Sequence, residues 1–564
     1  MRVWKRFGAV ALAVLMCLSL LTGCEKENPV EEDRTLDVSV GSAPVTLDPI
    51  YAETVEDQTI LVHLYENLMR RGVDENGQQT VVGGVAKDVT QETNYDGSVT
   101  YTFKLHSAKW SDGRSVRAGD FVYAWQRLAN PLSHSPFAEL LSVVEGYDEA
   151  REEGDMSKLQ VTAKNDSTLV VVLDGNYEWF LTEVCTSPAT MPLRKDIVQQ
   201  LKTAADEKNL EFAEQGIITA ERWWSDPEAL VTNGPYEVVE CDYGKKMVTA
   251  FSDHYHGDSD GPQELTFHFA DSVEKGWALY EEGAVDAVWP LPEVRLAERE
   301  AEETWVGVPE LGTYAALFNC DVLQDGLVRQ AMTLVIDRVS LAARAGVTAV
   351  AAEGIVPPGV PDSEKEDFRS CKGALVDNDP ETYYDRCAQA LQLLAEAGYD
   401  SGADLGEMEY LYEDSGNNGA VAHALCNMWQ TGLGLQITPR GVTKQELWAA
   451  LRTGEYSIAG ADLTAAGNDA ECFLMKWSTY STDNVVRYSN SAYDTLMAII
   501  ATAPDGTARL GCLHDAEELL VGDYAIAPIY TRETAWELRE PWTGILRDPR
   551  GWFSFAGVYA EKAE

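Results

Sequence analysis

Strand-like runs rich in β-branched and aromatic residues recur along the chain: Thr35 to Val40, Val99 to Leu105, Thr168 to Leu173 and Leu265 to Phe269. Between them lie runs with helical patterning: Gln58 to Arg71, Ala118 to Leu128, Tyr383 to Ala397 and Ala420 to Leu433. The last two run up to Gly398 and Gly434, the residue type that closes helices. Helices and strands mix throughout, with no short-period repeat and no low-complexity linker. This predicts a mixed α/β protein of large lobes whose chain passes back and forth between domains. One stretch differs. Phe7 to Leu21 holds only small or apolar residues plus one serine, behind Arg2, Lys5 and Arg6. A bilayer span needs about 20 apolar residues, so this shorter run predicts the core of a signal peptide.

A chain of 564 residues is too long for one compact core, so two or three domains are expected. The formal net charge is −48. Removing the signal peptide removes three cations and no acids, which makes the rest more negative still. Such a chain does not bind nucleic acid or an anionic bilayer surface by electrostatics. The acids are interspersed with apolar residues, as on a solvated surface, and their summed field also favours cationic ligands.

The signal core ends in Leu21-Thr22-Gly23-Cys24. This resembles the lipobox of bacterial lipoproteins. The resemblance implies cleavage before Cys24 and acylation of its thiol, a palmitate-bearing anchor at the extracytoplasmic face of the cell membrane. Residues 1–23 are then the lipoprotein signal peptide, and the charged stretch 24–34 is a flexible tether. Eight further cysteines, from Cys185 to Cys512, are widely spaced with no C-x-x-C pair, which gives no support to a zinc or redox motif. Their pairing is left open.

Several motifs follow one another in order. Leu47-Asp48-Pro49 comes first, then Ala108-Lys109-Trp110-Ser111-Asp112-Gly113 and Ala118 to Arg127. Thr232-Asn233-Gly234-Pro235-Tyr236, Val328 to Ala331, Ile336-Asp337-Arg338, Ala395 to Tyr399 and Ala525 to Tyr530 complete the series. Trp110 to Gly113 reads as a turn that Asp112 closes, Asp120 as a first-turn carboxylate, and Asp337-Arg338 as a structural ion pair. The series resembles the oligopeptide- and dipeptide-binding solute-binding proteins of ABC importers, extracellular solute-binding protein family 5, over nearly the whole chain after the tether. The resemblance implies a periplasmic-binding-protein-like type II fold with two lobes, a hinge and three domains. Domain I would comprise 35–65, 190–310 and 530–564, domain II 66–189 and domain III 311–529, with chain crossings near 310 and 530.

It also implies a monomer that closes on a peptide-like small ligand and hands it to ABC permease and ATPase subunits. The ligand would be held extended, its backbone paired with the protein's. Glu53, Thr54 and Val55 match positions beside the ligand, and Phe137, Trp289 and Tyr314 match aromatic walls. Asp462, Leu463, Thr464, Ala465, Ala466 and Asp469 fall on the main ligand-facing segment. Here the chain departs from its relatives. Ala466 stands where they carry the aspartate that pairs with the peptide ammonium, Leu463 where they carry an aromatic, and Gly460 where they carry an arginine. Asp462 and Asp469 are the nearest candidates to replace the aspartate.

No H-E-x-x-H, G-x-S-x-G or G-x-x-x-x-G-K-[ST] motif occurs, so neither an enzyme nor a bound cofactor is expected. His254 and His256 flank Tyr255 with weak metal spacing, and a surface turn without metal is expected there. A sensory or scavenging lipoprotein of the same fold, with a non-peptide ligand or no transporter, stands as the alternative.

Overall fold

A computed structural model describes residues 34–74, 79–214, 222–257, 261–270, 272–297, 305–362, 367–465, 467–503 and 506–560. Cys24, the signal peptide, the tether and Ala466 lie outside them. Among the described residues, no helix is long and apolar enough to cross a membrane, and Cys185, Cys241, Cys320, Cys387, Cys426, Cys472 and Cys512 are free thiols.

An eleven-stranded mixed sheet runs through the molecule. Its order is Gln436–Val442, Glu407–Glu413, Ile458–Thr464, Trp305–Phe318, Ile526–Leu538, Ala287–Val288, Thr35–Val40, Glu264–Phe269, Lys246–Phe251 and Tyr236–Asp242. The short strand Ala349–Ala351 pairs beside Ile526–Leu538. A separate antiparallel sheet holds Ala86–Thr93, Val99–Leu105, Thr168–Leu173 and Val161–Asn165. Its inner face is the strict alternation of Val99, Tyr101, Phe103 and Leu105. The helix Ala118–Ala129 buries Phe121, Ala124, Trp125 and Leu128, spaced three and four apart as one helical stripe requires.

The buried residues separate into cores by sequence. One joins residues from Leu36 to Ala287 with the closing segment Ile545 to Val558, and Cys472 is its one member from between them. Two others fill opposite faces of the sheet between residues 311 and 530. The alternation along Trp305–Phe318 shows how. Ala315 and Leu317 enter one core, while Tyr314, Ala316 and Phe318 enter the other. Trp305–Phe318 and Ile526–Leu538 pair with each other and connect the first core to the other two.

The motif residues hold this frame. Asp48 accepts a forked pair of hydrogen bonds from Arg127, at 2.6 and 2.5 Å, and one from Trp223 Nε1. Asp120 accepts from the Arg117 N–H and from Trp110 Nε1, and Asp112 closes its turn on the Arg114 N–H. Two expectations change. The helix predicted over Gln58 to Arg71 is Val55–Leu64, and Met69–Val73 is a strand. Tyr65 turns extended, and the Asn67 amide goes to Ser187 and Thr190, so tertiary hydrogen bonds end the helix early. Asp337 and Arg338 do not pair. Asp337 caps the helix Arg338–Ala345, and Arg338 is buried with its Nε on the Pro528 carbonyl.

His63 sits at the centre of the first core, fully buried among Tyr236, Phe267 and Phe555. Its Nδ1–H donates to the Thr59 carbonyl and its Nε2 accepts from the Phe555 N–H. Burial pushes its pKa down from 6.5 to about 4. The unfolded chain takes up this proton as pH falls below about 6.5, and the folded chain resists until about pH 4. Stability contributed by neutral His63 is therefore present above pH 6.5 and lost across that window, by ~3 kcal/mol. In urea denaturation at pH 7 and pH 4.5, the variant His63→Gln is expected to lose ~2–3 kcal/mol less between the two conditions than the native chain. Equal losses would show that this histidine carries none of the acid sensitivity.

Candidate functional site

A cleft of about 410 Å³ opens where Trp305–Phe318 and Ile526–Leu538 pass between cores. Val55, Phe137 and Trp289, which pack against the first core, line it together with Glu53 and Arg550. Glu310, Tyr314, Asp462, Thr464, Tyr530 and Arg532 line it from the paired strands and their neighbour Ile458–Thr464.

The floor is aromatic. Tyr314 and Tyr530 stack, with ring centroids 4.8 Å apart and planes within 4°. The Tyr314 hydroxyl meets that of Tyr410 at 3.2 Å. These two phenols fill the space above Gly460. A Cβ there would lie 2.0 Å from the Tyr410 oxygen and 2.2 Å from the Tyr314 oxygen. No side chain fits at residue 460, so an arginine has no room there.

A guanidinium enters the cleft from the adjacent strand instead. Arg532 donates to Asp462 Oδ1 at 2.7 Å and to the Tyr530 hydroxyl at 3.1 Å, and lies 4.9 Å from the Tyr530 ring centre. Burial opposes its charge, but Asp462, Tyr530 and Glu310 together outweigh burial and its pKa is raised. Around the rim, Trp289 donates to Thr534 Oγ1 at 2.8 Å and packs edge-on against Phe553. Lys444 reaches Glu53 at 3.5 Å, both side chains being exposed.

Eight of the twelve candidate residues meet at this cleft: Glu53, Val55, Phe137, Trp289, Tyr314, Asp462, Thr464 and Ala465. Thr54 stands beside it as the N-cap of Val55–Leu64, its hydroxyl accepting from the Asp57 N–H. Leu463 faces the other way. Asp462 and Thr464 point into the cleft, so strand alternation sends Leu463 into a core, where it is buried. Asp469 is turned from the cleft. It caps the short helix Ala470–Leu474 and pairs with Arg509 at 2.5 Å. Ala466 lies outside the described residues.

Twelve lining residues were not among the sequence candidates, and Glu310, Tyr530, Arg532 and Arg550 stand out among them. Tyr530 and Arg532 are two apart on one strand, a period that places both on one face once Tyr530 is known to point inward. Glu310 had no such signal, because it sits in a break of the strand register. His254 and His256 belong elsewhere. His256 Nε2 meets Glu66 at 2.5 Å, and among the described residues no group of three or more His, Cys, Asp or Glu is placed to hold a metal.

Comparison with known proteins places this geometry in context. Residues 80–484 match the family described as bacterial extracellular solute-binding proteins, family 5. The periplasmic oligopeptide-binding protein OppA of Escherichia coli is 29% identical over 531 residues, covering 91% of this chain and 90% of the relative. The probable deoxycholate-binding periplasmic protein YgiS of Escherichia coli is 28% identical over 512 residues, covering 89% of each. Among solved structures, the Escherichia coli murein tripeptide binding protein MppA superimposes with a TM-score of 0.72 at 25% identity, over 94% of this chain and 99% of that one. The two-lobed α/β architecture is thus that of the type II periplasmic binding proteins.

Proposed function

The chain belongs to the bacterial extracellular solute-binding proteins of family 5, and on that premise we propose that it captures a peptide-like ligand in this cleft and delivers it to the permease and ATPase of an importer. The position of the cleft carries the proposal. Its walls come from different cores, and its floor is the pair of strands that connects them. A ligand touching both sides stabilises the closed arrangement over the open one, which is how binding becomes closure. The domains follow as proposed from the sequence: 35–65, 190–310 and 530–564, then 66–189, then 311–529, hinged near 310 and 530. Aromatic walls at Phe137, Trp289, Tyr314 and Tyr530 suit an extended chain, and water in the cleft adapts to varied side chains. Acylated Cys24 tethers the monomer to the extracytoplasmic face of the cell membrane.

A mixture of short peptides is expected to raise the melting temperature of the purified protein, since a ligand specific for the folded state must stabilise it. Native mass spectrometry is expected to find a peptide retained from the cell. If neither occurs, the ligand is not a peptide. The variant Cys24→Ala is expected to move from the membrane to the soluble fraction and to lose palmitate label.

A second reading has its own observation. Asp462 is already paired with Arg532, and Gly460 is capped by phenols, so the terminal clamps of peptide-binding relatives are not reproduced. A non-peptide solute, or a receptor that signals or scavenges without a transporter, fits that loss. A permease and an ATPase encoded beside this gene would favour transport.

A further inference from the structure

The register of the hinge strands breaks at the cleft. Pro309 pairs with Glu533 and Thr313 with Thr531, so three residues, Glu310 to Gly312, stand opposite Arg532 alone. A bulge of this kind bends a strand and re-aims its side chains. Here it puts Glu310 on the cleft wall beside Arg532 and Asp462.

The charges lining the cleft are otherwise spoken for. Arg532 holds Asp462, Arg550 holds Asp548, and Glu53 lies against Lys444. The Glu310 carboxylate has no hydrogen bond or ion pair among the described residues. Burial raises its pKa, and Asp462 adds to that, even though Arg532 and the unpaired guanidinium of Arg547 pull the other way. A partly buried carboxylate that faces a cavity without a partner is stabilised by any cation brought to it, and a charge-assisted hydrogen bond is the strong form of that contact.

We propose that Glu310 receives the cationic end of the ligand, a primary ammonium, in the role that relatives give to the aspartate absent at Ala466. This rests on the cleft being the site of a peptide-like ligand. The bulge supplies the reach, because it brings a carboxylate from the hinge strand to the cleft while Asp462 remains on Arg532. Of the three carboxylates lining the cleft, Asp462 is held by Arg532 and Glu53 by Lys444, which leaves Glu310 as the one open to an ammonium.

The test uses the whole protein and two probes: a mixture of tripeptides of neutral residues with free amino termini, and the same mixture N-acetylated. Affinities are measured by calorimetry for the native chain and for Glu310→Gln, with the melting temperature of each ligand-free protein recorded alongside. The native chain is expected to bind the free-amine mixture and to lose most of that affinity on acetylation. Glu310→Gln is expected to bind the free-amine mixture roughly ten- to hundredfold more weakly, with an unchanged or higher melting temperature in the ligand-free form.

Equal binding of both mixtures by the native chain overturns the assignment and leaves the peptide reading intact. So does native-like affinity of Glu310→Gln for the free-amine mixture. A lower ligand-free melting temperature together with unchanged affinity would make Glu310 the structural counter-ion of Arg547 instead. Binding of neither mixture by the native chain overturns the peptide reading itself, and the role of Glu310 falls with it. The acetylation comparison needs no variant, so it decides the matter even if Glu310→Gln folds poorly.

Discussion

Replacing Asp548 by alanine is expected to cost ~3–5 kcal/mol of folding stability, the range for removing one partner from a buried ionic network. Asp548 is wholly buried. Arg550 grips it with a forked pair of hydrogen bonds, at 2.6 and 2.7 Å, and Arg71 donates to it at 2.7 Å. Burial alone would raise its pKa, but Arg550 and then Arg71 reverse that and hold it well below the usual carboxylate range. Alanine strands two guanidiniums. The loss also spreads outward, because Arg550 lines the cleft and bonds the Glu183 carbonyl and the Thr186 hydroxyl, while Arg71 lies on the strand Met69–Val73. One carboxylate therefore joins three segments distant in sequence at the wall of the site. Asp548→Asn should cost nearly as much, since the amide keeps the shape and loses the charge. Urea denaturation of both variants measures this, and a change under ~1 kcal/mol would place the network among ion pairs of surface strength.

How far the sequence discloses such features depends on the range of the force involved. The strands Thr35–Val40, Val99–Leu105 and Thr168–Leu173 have the limits expected of them, and the helix ends before Gly398 and Gly434 were legible because capping is local. The end of the helix Val55–Leu64 was not, because Asn67 is drawn by Ser187 and Thr190, more than a hundred residues away. The cleft divides in the same manner. Tyr314, Trp289 and Asp462 were legible through motif resemblance, which carries tertiary information that local patterning lacks. Arg532 was not, since its value as a cleft residue depends on Gly460 giving its space to two tyrosines from other strands. Glu310 depends on a bulge, and no spacing in the strand Trp305–Phe318 announces one.

The second large effect concerns closure. Glu471 is buried between two partners. Arg509 donates to it at 2.7 Å, and Trp179 donates from the first core at 3.1 Å. Burial raises the pKa of Glu471, and Arg509 works against that. Close packing accompanies the bond. A Cβ on Gly467 would fall 2.7 Å from Glu183 Cβ, so only glycine allows these segments to meet. If the lobes close on ligand, the Trp179 bond exists in the closed arrangement and is broken in the open one. Glu471→Ala is then expected to cost ~3–5 kcal/mol in stability, because Arg509 keeps only Asp469. Trp179→Phe isolates the crossing bond. It leaves Glu471 with Arg509, so the core around Phe473 and Leu474 keeps its stability. A hydrogen bond to a charged group contributes ~1.5–3 kcal/mol, and losing it from the closed state alone should weaken ligand affinity about tenfold or more. Calorimetry measures that affinity, and small-angle scattering should show a larger radius for Trp179→Phe in the presence of ligand. Unchanged affinity with a lowered unfolding midpoint would make the Trp179–Glu471 bond a fixed joint, and the lobes would have to close about some other contact.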